Sequence, residues 1–201
     1  MEGALPDRAD DPAEHRPTQN LLRWMNFGGL YDCLHGELPG VQGEGQLLMD
    51  AAERIEGADK LTSVFGYWPS FHDAEIVWLR LDRRPVLEGL YGPTLEALIH
   101  TFEMTSEVGR DGSYVLRHHV LAHFRFHDVT GLELEHFNHQ NVLFGLSITD
   151  IRDRQMEMID FEVTLSSSFG LSGLFYCKRA ELMEVTPCSE DAKPLVDGIE
   201  R

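Results

Sequence analysis

The stretch YVLRHHVLAHFRFH, residues 114–127, decides the fold class. Its even-numbered positions are apolar except at His118, whereas its odd-numbered positions from 117 onward carry mostly histidine and arginine. Successive side chains of a strand point to opposite faces, so a period of two predicts a β-strand with one face in the core. The stretch therefore predicts a long strand with an apolar side and a polar side.

The segment that follows alternates in the same way and favours a hairpin. Two leucines alternate with two glutamates there: Leu132, Glu133, Leu134 and Glu135. Matching the apolar faces requires an odd number of loop residues, and residues 129–131 meet this with a left-handed glycine at the end. This register predicts His127 opposite Glu133 and Arg125 opposite Glu135, as cross-strand pairs of opposite charge.

The rest of the chain predicts an α+β domain that is mainly antiparallel sheet, with about seven strands behind one or two N-terminal helices. A helix with one apolar face is indicated by Leu47, Leu48, Ala51, Ala52 and Ile55. Gly57 is placed to end it, and a shorter helical turn over Leu61–Phe65 stops at Gly66. A largely buried strand follows from Asp73. Clusters of Gly, Asp and Ser separate further strand segments at residues 95–102, 132–137, 142–151, 157–166 and 174–185.

Three zones differ in composition. Residues 1–45 are acidic and rich in Gly and Pro, which predicts a partly disordered extension. Residues 46–186 carry dense periodic hydrophobics and form the predicted β-rich domain. Residues 187–201 are polar with two prolines, which predicts a flexible tail.

Charge excludes several function classes. The 201 residues contain 34 Asp and Glu against 17 Lys and Arg, a net charge of −17. Such a surface repels phosphate backbones and anionic lipids, so we expect neither nucleic acid nor membrane as a partner. Three distant cysteines, Cys33, Cys177 and Cys188, favour reduced thiols over a disulfide framework. No segment resembles a targeting signal, so we expect a cytoplasmic protein.

Ten histidines raise the possibility of a metal site. His119, His123 and His127 are four residues apart, which in a strand separates neighbouring side chains by about 13 Å. That spacing is too long to share one ion, so a site would need a ligand from another strand, such as Glu133. The other interpretation is a solvated polar face of the sheet, with no metal and no cofactor.

The segment FGYWPSFHDAEI, residues 65–76, is the densest unusual part of the sequence. Pro69 favours an extended Trp68, which makes a tight turn before the first strand. Its candidate site residues are Tyr67, Trp68, His72, Asp73 and Glu75. One interpretation is a site held by the rigid aromatic turn, and the other is a hydrogen-bonded strand start with the aromatic rings in the core.

A second segment, FNHQN at residues 137–141, supplies Asn138, His139 and Asn141 as further candidates. Amide side chains at a strand end commonly satisfy loose backbone groups, which is the structural interpretation of this segment. No nucleophile and base can be paired from spacing alone, so no catalytic residue is assigned.

Three stretches together resemble the immunity protein 50 family of bacterial polymorphic toxin systems. They are FGYWPSFHDAEI, then FRFHDV at 124–129, then LELEHFNHQNVLFGL at 132–146. The resemblance covers roughly residues 61–186, and its specific part is the aromatic segment with HDAE. It implies a cytoplasmic, non-enzymatic protein that binds and neutralises a cognate protein toxin.

The composition of the chain is compatible with such a function but does not by itself require it. A protein that works by stoichiometric occlusion needs no active site, and a strongly acidic surface suits a basic toxin such as a nuclease. The alternatives are a metal-binding enzyme or sensor built on the histidine-rich face, and a β-rich domain with neither role. The sequence leaves the toxin, its contact residues and the oligomeric state open.

Overall fold

The computed structural model describes residues 52–84, 92–196 and 199–200. Within them lie one α-helix, an eight-stranded antiparallel sheet and a separate two-stranded pair. The elements in chain order are α1 Asp59–Phe65, β1 Glu75–Asp82, β2 Thr94–Val108, β3 Tyr114–His127, β4 Thr130–Glu135, β5 Val142–Asp150, β6 Phe161–Phe169, β7 Ser172–Cys177, β8 Arg179–Pro187, β9 Leu195–Val196 and β10 Ile199–Glu200. The fold class is confirmed, with eight strands in the main sheet rather than about seven.

Helix α1 ends as its sequence predicts. Gly66 adopts a left-handed φ of 80°, and its N–H donates to the Thr62 carbonyl at 2.8 Å. Leu61 and Phe65 bury the apolar face of the helix in the core. The predicted extension over residues 1–45 and most of the helix predicted over 47–55 lie outside the described residues, and only Ala52 shows helical backbone at its end.

The sheet order β4-β7-β6-β5-β1-β2-β3-β8 contains two four-stranded halves. The halves join where β1 meets β5, at the single pair Glu75 and Val142. Strands β3 and β4 lie far apart in this order, yet only two residues, 128–129, separate them along the chain. Lys178 alone separates β7 from β8 in the same way. The sheet therefore folds back on itself, and the two short connections, β3–β4 and β7–β8, pass from one half-sheet to the other at the same corner.

The predicted hairpin between β3 and β4 is wrong. Strand β3 pairs with β2 and β8, so Arg179 rather than Glu133 stands opposite His127, and Glu96 and Glu181 stand opposite Arg125. At the corner Asp128 has a φ of 55° and accepts a hydrogen bond from the Gly92 N–H. These contacts bend the chain from one half-sheet to the other instead of reversing it.

Two further strand predictions need correction. The segment 174–185 is two strands, because Lys178 turns the chain at the corner and donates its N–H to the His127 carbonyl at 2.9 Å. Strand β1 forms as predicted but is not largely buried, since Val77 and Leu81 are 42% and 56% exposed. A register shift between Ile76 and Trp78 interrupts the alternation, and Ile76 alone is fully buried in this strand.

Aromatic rings fill the inside of the roll. Phe71, Phe124, Phe126 and Phe175 are at most 2% exposed. Phe126 contacts Phe175 with ring centroids 5.0 Å apart, which joins β3 to β7 across the core. The even-numbered face of β3 is therefore the core face, as the alternation predicts.

The C-terminal residues begin with packed contacts. Cys188 is buried, and its N–H donates to the His119 carbonyl at 3.0 Å. Cys177 and Cys188 are free thiols, and burial raises the pKa of both, for Cys188 to about 11. Among the described residues no helix has the length and apolar character to cross a membrane.

Candidate functional site

The two motif segments meet where the two half-sheets join, at a contact that we call the seam (residues 70–76 against residues 141–146). The Asp73 N–H donates to the Leu143 carbonyl at 3.0 Å, and the Leu143 N–H donates to the Ala74 carbonyl at 2.8 Å. The Ile76 N–H donates to the Asn141 carbonyl at 2.9 Å. Two segments that are 65 to 76 residues apart in sequence therefore build one structural feature.

Glu75 lies within the seam and connects three strands. Its backbone pairs with His100 on β2 and with Val142 on β5, and its side chain is half-buried. This predicted site residue thus sets the strand register at the joint between the halves.

Unusual backbone geometry at residues 71–73 directs one side chain of the aromatic segment into the core and leaves its neighbour in solvent. Phe71 and Asp73 have φ values of 60° and 61°, which residues other than glycine rarely adopt. The turn places Phe71 in the core at 1% exposed and leaves the His72 side chain 51% exposed. The surrounding seam hydrogen bonds hold this conformation in place.

Trp68 belongs to the core side of this turn. Its ring lies 5.8 Å from Phe71 and 6.3 Å from Phe124, centroid to centroid, and it is partly buried. Tyr67 is 49% exposed, and its hydroxyl lies 3.5 Å from Glu103 Oε1. Burial and the Glu103 carboxylate raise the pKa of Tyr67 above its ordinary value. Trp68 thus packs against the core rings, as the structural interpretation of the segment describes.

The exposed His72 pairs with the half-buried Asp73, with Nδ1 of the ring 3.1 Å from Asp73 Oδ2. The neighbouring hydroxyl of Ser70 accepts a hydrogen bond from the His72 backbone N–H, not from its ring. The ring packs instead against Phe144, at a centroid distance of 5.2 Å. The arrangement is a histidine held by a carboxylate and an aromatic ring rather than a nucleophile with its base.

Asn141 has the structural role that an amide at a strand end suggests. It is 3% exposed, and its Oδ1 accepts hydrogen bonds from the N–H groups of Asn138 and Leu171 at 3.0 and 3.1 Å. Its Nδ2 donates to the Asn138 carbonyl at 2.9 Å. Asn138 and His139 are exposed, and the His139 ring lies 6.1 Å from Phe169.

Four exposed rings therefore lie at this end of the molecule, and we call them the aromatic surface: His72, His139, Phe144 and Phe169. Phe144 is 61% exposed and Phe169 is 47% exposed. Val142 pairs with Phe169, which places the two ring pairs at the same end of the neighbouring strands β5 and β6. Grouped exposed aromatic rings are typical of protein interaction surfaces.

The sequence analysis did not single out Phe144 or Phe169. A signal for Phe144 existed, because Val142, Leu143 and Phe144 are three consecutive apolar residues of one strand. Alternation buries only one side of such a run, and Leu143 is the buried member at 0% exposed. Phe169 carries no comparable signal, since its exposure depends on where β6 ends.

The histidines of β3 each contact a different partner. His119 Nδ1 lies 3.1 Å from His100 Nε2, His123 Nε2 lies 3.3 Å from Glu96 Oε2, and His127 Nε2 lies 3.1 Å from Glu181 Oε2. Glu133 is on β4, opposite Leu174 of β7. Within the described part of the chain no group of three or more His, Cys, Asp or Glu is placed to hold a metal ion.

This side of the sheet is not the solvated face that the alternation favours, because His127 is fully buried and Glu96 is 8% exposed. Arg125 donates to Glu96 Oε1 from Nε at 2.9 Å and from Nη2 at 2.8 Å. Burial alone would raise the pKa of Glu96, but Arg125 and His123 outweigh it and lower that pKa. Burial, with the neighbouring His119, lowers the pKa of His100 to about 4.

A known protein family matches most of the chain. The family model described as Immunity protein 50 matches residues 57–188, a span that contains the seam and all eight strands of the main sheet. No curated protein and no solved structure matches the chain.

Proposed function

The chain belongs to the Immunity protein 50 family, and on that premise we propose that it binds a protein toxin and neutralises it by covering the toxin's functional surface. The protein acts in the cytoplasm of the bacterium that carries the toxin. It performs no chemistry of its own, since occlusion requires affinity and shape rather than a catalytic group.

The aromatic surface is the observation that supports a binding role. Phe144 and Phe169 are large rings left exposed, each paired with a histidine that lies within 5.2 to 6.1 Å. Burying exposed aromatic rings gives a large gain in contact area with few rotatable bonds, so such rings are frequent contributors to binding energy. We place the toxin contact at this surface.

Charge supports a basic partner. The net charge is −17, and residues 60–186 alone carry 18 acidic against 11 basic residues. Opposite charges on two proteins speed their encounter and align them before the contact forms. The association rate with a basic toxin should therefore fall as salt rises, because the screening length is about 8 Å at physiological ionic strength.

The test uses the protein encoded beside this one as the toxin candidate, with co-expression rescue and surface plasmon resonance as the measurements. The double variant His72→Ala/Phe144→Ala should raise the Kd at least tenfold with an unchanged melting temperature. The control Val108→Ser/Met158→Ser removes two apolar side chains that are also more than half exposed, and should change the Kd less than threefold. Equal affinity of the first variant and the parent protein would exclude the aromatic surface as the toxin contact. If co-expression of the parent protein gives no rescue, neutralisation of this toxin candidate is excluded.

A further inference from the structure

Among the described residues, strand β4 is an open edge of the sheet. It pairs with β7 on one side, and no strand among residues 52–84, 92–196 and 199–200 pairs with its other side. The opposite edge, β8, is covered: the Leu182 N–H donates to the Glu56 carbonyl at 2.7 Å, and Lys60 Nζ donates to the carbonyls of Leu182 and Met183 at 2.8 Å. An uncovered edge presents backbone groups to which another strand can bind.

The side chains of β4 divide by chemistry. Leu132 and Leu134 are half-buried and pack against the core. Glu133 and Glu135 are exposed on the other face. Glu133 forms no ion pair with the described residues, and Glu135 is close only to His136, at 3.9 Å. The edge therefore offers an apolar inner face and two negative charges that have no Lys or Arg partner among the described residues.

An apolar groove adjoins this edge on the leucine side. It is lined by Leu79, Leu134, Phe137 and Leu171, with a volume of about 220 Å³. Phe137 lies two residues after the end of β4 and is 61% exposed, so it forms the rim of the groove. A strand added to β4 would place its inward side chains at this groove and its outward side chains beside the glutamates.

We propose that β4 binds an extended segment of the toxin as a ninth strand, in which lysine or arginine alternates with apolar residues. The proposal rests on the proposed function and specifies its partner. Main-chain hydrogen bonds to β4 hold the segment, the basic side chains face Glu133 and Glu135, and an apolar side chain enters the groove. The aromatic surface then provides a second contact region on the same partner.

The charges of Glu133 and Glu135 also argue against pairing of this edge with a second copy of the protein or with another part of its own chain. Two β4 strands pairing with each other would bring four glutamates together, which like-charge repulsion opposes. Residues 1–59 carry 12 acidic and 4 basic residues, so they also fail to match the edge in charge. A basic segment of another protein is the occupant that the charges favour.

The probe is a synthetic six-residue peptide of alternating lysine and valine, titrated into the full-length, isotope-labelled protein and followed by amide NMR shifts. We expect the largest shifts at residues 130–137 and at the groove residues Leu79 and Leu171, and no binding of the matched peptide of alternating glutamate and valine. The variant Glu133→Lys/Glu135→Lys should weaken peptide binding at least tenfold. The control Asp153→Lys/Glu157→Lys makes the same change in net charge at exposed residues between β5 and β6 and should leave binding within threefold.

Shifts centred away from β4 and its groove, no binding of the lysine peptide, or equal binding of both peptides would overturn the proposal. The peptide titration needs no toxin, so its failure leaves the tests at the aromatic surface intact. Conversely, peptide binding at β4 without neutralisation of the toxin candidate would reject the proposed function and retain the strand-binding edge.

Discussion

Strand β3 and the aromatic surface use the same two residue types, phenylalanine and histidine, in opposite ways. On β3, Phe124 and His127 are both fully buried, and each histidine has a partner side chain. On the aromatic surface, Phe144 is 61% exposed and the His72 side chain is 51% exposed. The difference shows that the environment, rather than residue type, decides whether a ring stabilises the fold or remains free to bind.

The largest expected effect is on the core side of β3. Phe124→Ala should lower the free energy of unfolding by about 3–5 kcal/mol, because it removes a ring that contacts Trp68, Phe71 and Phe126 and leaves a cavity. Urea unfolding measures this, with the same substitution at exposed Phe144 as the matched control. Similar losses at both positions would contradict the comparison.

The next effect is on the polar side of β3. Arg125→Met should cost about 2–3 kcal/mol, since it leaves the buried Glu96 carboxylate without its two strongest hydrogen bonds. Arg80 lines the same surface cavity as Arg125 and Glu96. Arg80→Met removes only the 3.9 Å contact of an exposed Arg80 with Asp82, so its cost should be below about 1 kcal/mol. Adding Glu96→Gln to Arg125→Met should recover part of the loss, and a strictly additive double variant would argue against the pairing.

A smaller effect follows from pH. Burial lowers the pKa of His100 to about 4 in the folded protein from an ordinary value of 6.5, so the unfolded chain binds the proton first as pH falls. Stability is then full above pH 6.5 and is lost below it, by about 2 kcal/mol between pH 7.5 and 5. Urea unfolding of His100→Leu over this range should show a flatter dependence. His136→Leu, at a side chain that is 75% exposed, should retain the slope of the parent protein, and an unchanged slope in His100→Leu would refute the assignment.

The smallest effect on stability belongs to the aromatic surface. Phe144→Ala and His72→Ala should each change the free energy of unfolding by no more than about 0.5 kcal/mol, because exposed side chains gain little from folding. Thermal and urea unfolding of the two variants check this directly. A loss above about 2 kcal/mol of unfolding free energy in either variant would show that these rings stabilise the fold, as the core rings do.

Local sequence patterns predicted the helices and strands of this fold more reliably than they predicted which strands pair. The alternation of β3 and the Gly66 helix end are both confirmed, because each depends on side chains within a few residues. The hairpin of β3 with β4 is wrong, because Asp128 and Val129 bind Gly92 and Pro93, about 36 residues earlier in the chain. Apolar alternation and a left-handed glycine are equally compatible with a bend between two half-sheets and with the reversal of a hairpin. The contact with Gly92 and Pro93 decides which of the two the chain makes.

The candidate site shows the same limit. The sequence identifies both motif segments, yet their meeting depends on backbone hydrogen bonds between Asp73, Ala74 and Leu143, which have no side-chain signature. The β7–β8 corner was likewise hidden, since Cys177 and Ala180 continue the apolar pattern without a glycine or proline between them. Burial at such places follows from the topology rather than from the local residues.

The seam has a consequence for how the protein opens. Strand β1 pairs with β2 at seven positions but with β5 at one, so amide hydrogens at the seam should exchange faster than those between β1 and β2. A partner that covers the seam would bind the closed form and not the opened one, which adds about 2.7 kcal/mol of stability at a free concentration one hundred times the Kd. Proteases would then remove the unoccupied protein faster than the complex, so that turnover in the cell follows the supply of toxin.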